Sequence, residues 1–154
     1  MRLKIPLKKN YLKMIRNSEG TKIFQDFYGI YNRKINNLTK GGKLSCAFFV
    51  SSILYLFGLI KNIHLGVTRE TEGIASLGLL EDMQKSGWFE ISRPKIGCVL
   101  LWEKKKGHFH IGFYLGNKKA ISNSSTKRKV VIHDYKFDRK RKIEKIFWYK
   151  KLEE

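Results

Sequence analysis

The sequence predicts an α+β protein in which a helical first half packs against an antiparallel sheet formed by the second half. In the first half, apolar residues recur at helical spacings, whereas the second half contains short apolar runs separated by turn residues. Short connections between those runs favour antiparallel pairing. Helices followed by strands are typical of an α+β fold, and 154 residues are enough for one domain, 1–154.

Three helices are predicted in the first half. Residues 22–36 have apolar side chains at helical spacings: Ile23, Phe27, Ile30, Tyr31 and Ile35. A second helix begins near Ser45, a good N-cap residue, and continues to about Leu59. It is apolar on nearly all faces, so we expect it at the centre of the fold. Residues 70–85 are a third candidate, although two glycines lower its helix propensity.

The second half contains five predicted strands, in residues 99–102, 109–115, 119–122, 129–135 and 143–149. Each is a short run rich in apolar, aromatic or β-branched residues. Gly116 and Asn117 form a turn signal between the second and third strands. These strands are expected to form the sheet that covers the central helix.

The charge of the chain is extreme, with 32 basic and 13 acidic residues and a net charge of +19. Such a chain attracts polyanions such as nucleic acid, acidic lipid or anionic cell-envelope polymers. Two cysteines exclude a disulfide scaffold. No signal peptide is evident, and the longest apolar stretch, residues 47–60, is shorter than the ~20 residues that a membrane span needs. We therefore expect no membrane span, and the localisation stays undefined.

Cys46 is the candidate nucleophile, because it lies at the predicted start of the central helix. The unpaired N–H groups and the positive end of the helix dipole favour a thiolate there, so we expect a lowered pKa. The same N–H groups can hold an oxyanion. The alternative is a buried cysteine that only fills space.

His110 is the candidate general base for this thiol. Strand alternation places four residues on one face: His108, His110, Gly112 and Tyr114. Ser122 and Asn123 follow one short hairpin later. A polar side chain there can accept the other imidazole N–H and fix the tautomer of the histidine. The alternatives are a structural histidine and a plain polar turn.

Two segments resemble motifs of the NlpC-type cell-wall peptidases. Residues 45–50, Ser-Cys-Ala-Phe-Phe-Val, resemble their nucleophile motif, commonly Asp-Cys-Ser-Gly-Phe-Val. Residues 110–117, His-Ile-Gly-Phe-Tyr-Leu-Gly-Asn, are similar to their His-Val-Gly-Ile-Tyr-Leu-Gly-Asn strand. Between them, residues 94–102 resemble the usual Pro-Gly-Asp-Leu-Val-Phe-Phe strand. The resemblance covers roughly residues 28–135, and the related CHAP amidases share this order of helix-borne Cys and strand-borne His.

The chain also departs from the family pattern. Ser45 replaces the acidic residue of the nucleophile motif, and Ala47 and Phe48 replace Ser-Gly. Cys98 stands where the family usually has Asp. These departures affect the expected substrate more than the expected fold.

The third catalytic position has two candidates. Many relatives have a histidine there, and counting from His110 places Ser122 at this position. Asn123 lies one residue further, on the opposite face unless a bulge or turn intervenes. We predict that Asn123 contacts His110, because its planar carbonyl reaches further than a serine hydroxyl and the polar run 122–125 has poor strand propensity.

The resemblance implies a papain-like NlpC fold and thiol-based hydrolysis of an amide bond in a peptidoglycan peptide. Cys46 would be the nucleophile, His110 the general base, and Asn123 or Ser122 the group that orients the histidine. The N–H of Cys46 would form part of the oxyanion hole. No metal or organic cofactor is required, and the positive charge would suit an anionic wall polymer.

Other interpretations remain open. The same Cys-His pair could catalyse acyl transfer. A non-catalytic basic module could bind nucleic acid or an envelope polymer through residues 127–129 and 139–142, with neighbouring aromatic rings for stacking; we expect only weak, sequence-blind binding to nucleic acid. Cys46 and Cys98 could form a disulfide, or four residues could bind zinc: Cys46, Cys98, His108 and His110.

Overall fold

The chain forms the mixed α+β architecture that its sequence predicts, with antiparallel sheets. The structure, a computed structural model, describes residues 1–68 and 78–153. In these residues the helices are α1 (Leu7–Asn17), α2 (Cys46–Leu56) and α3 (Leu79–Ser86), with short 3₁₀ turns at Lys40–Gly42 and Lys150–Glu153. The strands are β1 (Tyr28–Tyr31), β2 (Lys34–Asn37), β3 (Phe89–Glu90), β4 (Val99–Lys105), β5 (His108–Gly116), β6 (Lys119–Ser124), β7 (Lys129–Asp134) and β8 (Ile143–Trp148).

Six strands form the main sheet in the order β3-β8-β4-β5-β6-β7, and every pair is antiparallel. The five strands predicted in the second half are all present, most of them slightly longer than expected. β3 is a two-residue edge strand that the sequence did not predict. None of the helices in the described residues is long and apolar enough to cross a membrane.

Helix α2 packs on β5 and β6 at the centre of the fold, as its apolar sequence predicts. Phe49 is fully buried and meets Phe113 of β5 edge to face, with ring centroids 5.5 Å apart. Phe113 also meets Tyr11 of α1 at 5.9 Å. These aromatic contacts join both helices to one face of the sheet, and that packing holds Cys46 against the sheet.

Helix α1 was not predicted, although its sequence contains apolar residues at helical spacing. Tyr11 and Ile15 are fully buried and lie one helical turn apart, which is amphipathic spacing. Tyr11 Oη donates a 2.7 Å hydrogen bond to the carbonyl of Gly97. A lysine-rich sequence obscures this short apolar stripe.

The predicted helix over residues 22–36 is wrong, because this segment contains the β1-β2 hairpin. Asn32 and Arg33 both have positive φ, of 49° and 63°, as a two-residue hairpin turn requires. Apolar side chains that suggested a buried helical stripe are exposed, including Ile30 and Ile35. The helical spacing of these apolar residues therefore did not indicate that their side chains are buried.

The third predicted helix is confirmed in part. Helix α3 covers Leu79–Ser86 and ends at Gly87, which has a φ of 107°. Residues 70–77 of the prediction lie outside the described residues. Buried Asp82 of α3 accepts hydrogen bonds from the N–H groups of Lys61 and Asn62 and lies 2.7 Å from His64 Nε2. This contact fixes the segment that leads from α2 towards α3.

Gly112 allows β5 and β6 to approach each other closely. A Cβ built at this position would lie 2.6 Å from the carbonyl oxygen of Ile121 and 2.8 Å from Ser122 Cβ. Trp102 Cζ3 would lie 3.1 Å away. Since two of the three neighbours belong to β6, any side chain at position 112 would push the strands apart.

We expect Gly112→Ala to destabilise the fold by about 1–3 kcal/mol, because overpacking here moves a strand backbone. Gly20→Ala is the control, since its Cβ would meet nothing within 4 Å and only its positive φ opposes the change. Chemical denaturation measures both variants. A Gly112→Ala protein as stable as the wild type would contradict this account of the strand contact.

Candidate active site

The loop before α2 places Cys46 at the N-terminal end of this helix, which packs on the sheet. Gly42 has a φ of 96°, and a Cβ there would lie 3.0 Å from the backbone of Arg128. The carbonyl of Gly42 accepts a 2.9 Å hydrogen bond from Asn123 Nδ2. Buried Asn123 thus anchors the loop that leads into Cys46.

The first turn of α2 presents main-chain N–H groups to the thiol. The N–H groups of Ala47 and Cys46, together with that of Ile111 in β5, lie where they stabilise a negative charge on sulfur and lower the pKa of Cys46. Ser45 occupies the N-cap position but its side chain makes no capping hydrogen bond. Ser45 Oγ is buried without a hydrogen-bond partner in the described part of the chain.

Burial nevertheless raises the pKa of the Cys46 thiol above its ordinary value. The N–H groups and the charge of Arg141 offset this effect only in part. The expectation of a lowered pKa is therefore wrong for the protein without substrate. Desolvation, which the sequence does not reveal, outweighs the helix terminus, and the resting thiol is protonated near neutral pH.

His110 belongs to a row of three polar side chains on β5, β6 and β7. His110 Nε2 lies 2.8 Å from Ser122 Oγ, and Ser122 Oγ lies 2.7 Å from His133 Nε2. His133 Nδ1 lies 2.7 Å from the carbonyl oxygen of Asp134. We call this row the β5-β7 relay.

The carbonyl at the end of the β5-β7 relay sets the direction of every hydrogen bond in it. A carbonyl only accepts, so His133 Nδ1 carries the proton, and Nε2 of neutral His133 accepts from the Ser122 hydroxyl. Ser122 Oγ then accepts from His110 Nε2. By this assignment, neutral His110 carries its proton on Nε2 and keeps Nδ1 as a base.

His110 is unprotonated at neutral pH. Burial lowers its pKa to about 3, and the nearby charge of Arg141 acts in the same direction, as does His133 when its ring is protonated. Burial also lowers the pKa of His133. Both rings are therefore neutral at rest, as the tautomer assignment requires.

Aromatic rings enclose the relay. The His110 ring lies 5.3 Å from Trp102 and 5.6 Å from Phe137, and Phe137 stacks on His133 at 4.1 Å. Trp102 Nε1 donates to the carbonyl of Tyr135 at 2.7 Å, which fixes the indole. This packing restricts the rotation of both imidazoles.

Ser122, and not Asn123, contacts His110, which corrects the sequence-based prediction. The predicted bulge at this point of β6 is absent, because Ser122 pairs with Val131 and Asn123 with Val130 in unbroken register. Strand alternation therefore sends Asn123 to the face that carries α2 and Ser122 to the face of the relay.

Cys46 and His110 line the same cavity, which has a volume of about 350 Å³. Asn123, His108 and Arg141 also line it. Within the described residues, no hydrogen bond joins the thiol to the imidazole. The cavity provides a space in which a bound substrate can meet both groups.

The other constellations suggested by the sequence are not formed. Both cysteines are free thiols, so the Cys46–Cys98 disulfide is absent. Cys98 is fully buried and its pKa is raised to about 12, mainly by burial. Among residues 1–68 and 78–153 there is no cluster of three or more residues suited to holding a metal ion.

Sequence reasoning missed His133, and it named Arg141 only as part of the basic run 139–142 and not as a residue of this site. His133 lies on β7 two residues beyond Val131, the register partner of Ser122, so the pairing β6-β7 places it diagonally beside Ser122. A known strand register would have identified it. Arg141 reaches the cavity from the turn before β8, and no local sequence pattern indicates this.

Two larger cavities contain neither a cysteine nor a histidine among their described lining residues. One, of about 540 Å³, includes Trp88 and Phe147, and the other, of about 660 Å³, includes Ile91 and Tyr135. The cavity that holds Cys46 and His110 is therefore the candidate active site.

No protein-family model matches this chain, and no curated protein is similar enough to it to count as a match. A function for the chain is therefore inferred from its geometry and its motifs.

The depressed pKa of His110 makes the fold sensitive to acid. Between its ordinary pKa of 6.5 and its folded pKa of about 3, the unfolded chain protonates this histidine and the folded chain does not. Stability therefore rises with pH in this window and is lost as the pH falls, by at most about 1.4 kcal/mol per pH unit from this group. Denaturant unfolding from about pH 7 down to about pH 4.5 measures the slope.

Replacement of His110 by glutamine should reduce this slope, and the part due to His133, whose pKa burial also lowers, should remain. Glutamine at exposed His108 of the same strand is the matched control. Equal slopes in the wild type and in His110→Gln would show that His110 titrates normally in the folded protein.

Proposed function

We propose that this protein is a cysteine hydrolase that cleaves an amide bond by a Cys46-His110 mechanism. The observation that carries the proposal is the β5-β7 relay, which leaves Nδ1 of His110 as a base, while His110 and the helix-borne Cys46 line the same cavity. The motif resemblance to the NlpC-type peptidases supports the same assignment, and a papain-like NlpC fold is part of the proposal. Peptidoglycan peptides are the proposed substrates.

The first step of the proposed reaction is attack by the thiol on the substrate carbonyl. His110 Nδ1 takes the proton from Cys46 Sγ while the sulfur bonds to the carbonyl carbon. The carbonyl oxygen becomes an oxyanion, and the N–H groups of Cys46 and Ala47 at the start of α2 are the donors proposed to stabilise it. Ser122 accepts from Nε2 throughout, so the imidazolium stays oriented.

The second half of the reaction releases both products. The carbon–nitrogen bond breaks as His110 returns its proton to the leaving amine, which leaves a thioester on Cys46. Water, deprotonated by His110, then attacks the thioester, and the thiol and a carboxylic acid are released. Transfer of the acyl group to an amine instead of water would use the same groups.

Incubation of muropeptides with the protein, followed by mass spectrometry of the products, tests the proposal. Cleavage should be abolished in Cys46→Ala, because no other group replaces the nucleophile. Cys98→Ala is the matched control, since Cys98 is buried away from the cavity and should be dispensable for turnover. Cleavage that survives in Cys46→Ala would exclude this mechanism. An intact fold with no cleavage of any peptide would favour the alternative, a basic binding module.

Alanine substitutions of Ser122 and Asn123, which are neighbours on β6, should have different effects. Ser122→Ala removes the acceptor that fixes the His110 tautomer, so we expect turnover to fall by about 10²-fold or more. Asn123→Ala leaves the carbonyl of Gly42 without its donor, so we expect a loss of about 1–3 kcal/mol of stability. Parallel measurement of kcat and of denaturant unfolding separates the effects. A large loss of kcat in Asn123→Ala at unchanged stability would reverse the assignment.

A further inference from the structure

We infer that the cavity beside Cys46 contains a subsite for a carboxylate, formed by Arg141 and the lysines of the β4-β5 turn. The inference rests on the proposed function, because it names a property of the substrate of that site. Four cationic side chains line the cavity: Lys43, Lys105, Lys106 and Arg141. No aspartate or glutamate appears among the described residues that line it.

Main-chain carbonyls hold the guanidinium of Arg141 in place. Nε donates to the carbonyl of Glu103 at 3.0 Å, and Nη2 donates to the carbonyl of His108 at 2.9 Å. In the part of the chain that the structure describes, Arg141 forms no ion pair with a carboxylate. Glu103 is the carboxylate close enough to stabilise its charge, and Glu103 Oε1 accepts the N–H of Lys142.

The remaining donors of Arg141 suit a bound oxyanion. A guanidinium has five N–H groups in a planar fork that matches a carboxylate, and the two contacts above use only two of them. The charge of Arg141 also acts directly on the Cys46 thiol and lowers its pKa. A carboxylate held by Arg141 would therefore lie beside the reacting sulfur.

The lysines strengthen this preference. Lys106 is exposed at the tip of the β4-β5 turn, and its side chain makes no hydrogen bond or ion pair with the described residues. Lys105 donates from Nζ to the carbonyl of Lys140, so its charge is also not neutralised by an acid. Because the cavity is small, it fits one charged group of a peptide rather than the backbone of a long polyanion. The substrate class is thus a peptide with a carboxylate next to the scissile amide.

Two alkylating reagents that differ only in charge test the subsite. Iodoacetate carries a carboxylate and iodoacetamide is neutral, and both transfer the same carbon to a thiol with loss of iodide. Their rate ratio cancels changes in the fraction of thiolate, which affect both reagents alike. We expect the iodoacetate-to-iodoacetamide ratio at Cys46 to exceed that of mercaptoethanol by about threefold or more, from one charge contact in a wet site.

Arg141→Gln should lower this ratio most of the way towards that of mercaptoethanol, and the remaining excess is due to the lysines that still line the cavity. Arg139→Gln is the matched control, because it removes the same charge from the same turn but lines a different cavity. Since Arg141→Gln could loosen the turn, Lys106→Gln and added salt provide independent tests, and both should lower the ratio. A ratio equal to that of mercaptoethanol in the wild type, or one unchanged by Arg141→Gln and by salt, would overturn the subsite.

The outcomes separate the two proposals. If Cys46 reacts with both reagents at the ordinary ratio, the subsite is wrong and the hydrolase stands. If neither reagent labels Cys46 in the native protein, both proposals fail, because each needs an accessible thiol.

Discussion

The close approach of β5 and β6 at Gly112 is the constraint on which the candidate site depends. Without a side chain at this position, the two strands bring His110 and Ser122 into hydrogen-bond contact. The same face then carries His133 and the rings of Trp102 and Phe137. A single missing Cβ thus determines whether the relay and its aromatic enclosure can form.

Neither Cys46 nor His110 is charged in the resting site, because burial disfavours the charged form of each group. The thiol pKa is raised and the His110 pKa is lowered, so neither member of the pair is charged before substrate arrives. An ion pair of thiolate and imidazolium would be costly in such surroundings. The compensating groups, the N–H groups at the start of α2 and the guanidinium of Arg141, are fixed in place and stabilise charge only when it develops on the sulfur or the oxyanion.

The sequence predicted those parts of the fold that have a simple periodicity. Helix α2 and the strands of the second half follow from apolar runs and turn residues, and they are confirmed. The β1-β2 hairpin was mistaken for a helix, because exposed apolar residues imitate a buried stripe and the turn signal at Asn32 was overlooked. Helix α1 was missed although Tyr11 and Ile15 carry the pattern.

The site was only partly accessible to sequence reasoning. Alternation alone assigns Ser122 to the His110 face, and the expected bulge that would have favoured Asn123 is not formed. The pKa of Cys46 depends on desolvation, and the contact of His133 depends on the β6-β7 register. Arg141 reaches the cavity through a turn whose path is set by the tertiary structure. No local pattern of residues indicates the pKa of Cys46, the contact of His133 or the position of Arg141.

Asp134 separates two tasks that active sites often assign to one acidic residue. Its carboxylate accepts the N–H groups of Lys136 and Asp138 and so shapes the turn that carries Phe137. Its main-chain carbonyl is the final acceptor of the relay. Every amino acid supplies a carbonyl, so substitution at this position can loosen the turn but cannot convert the acceptor into a donor. The main chain therefore sets the tautomer of His133, and the surrounding side chains can change during evolution without reversing it.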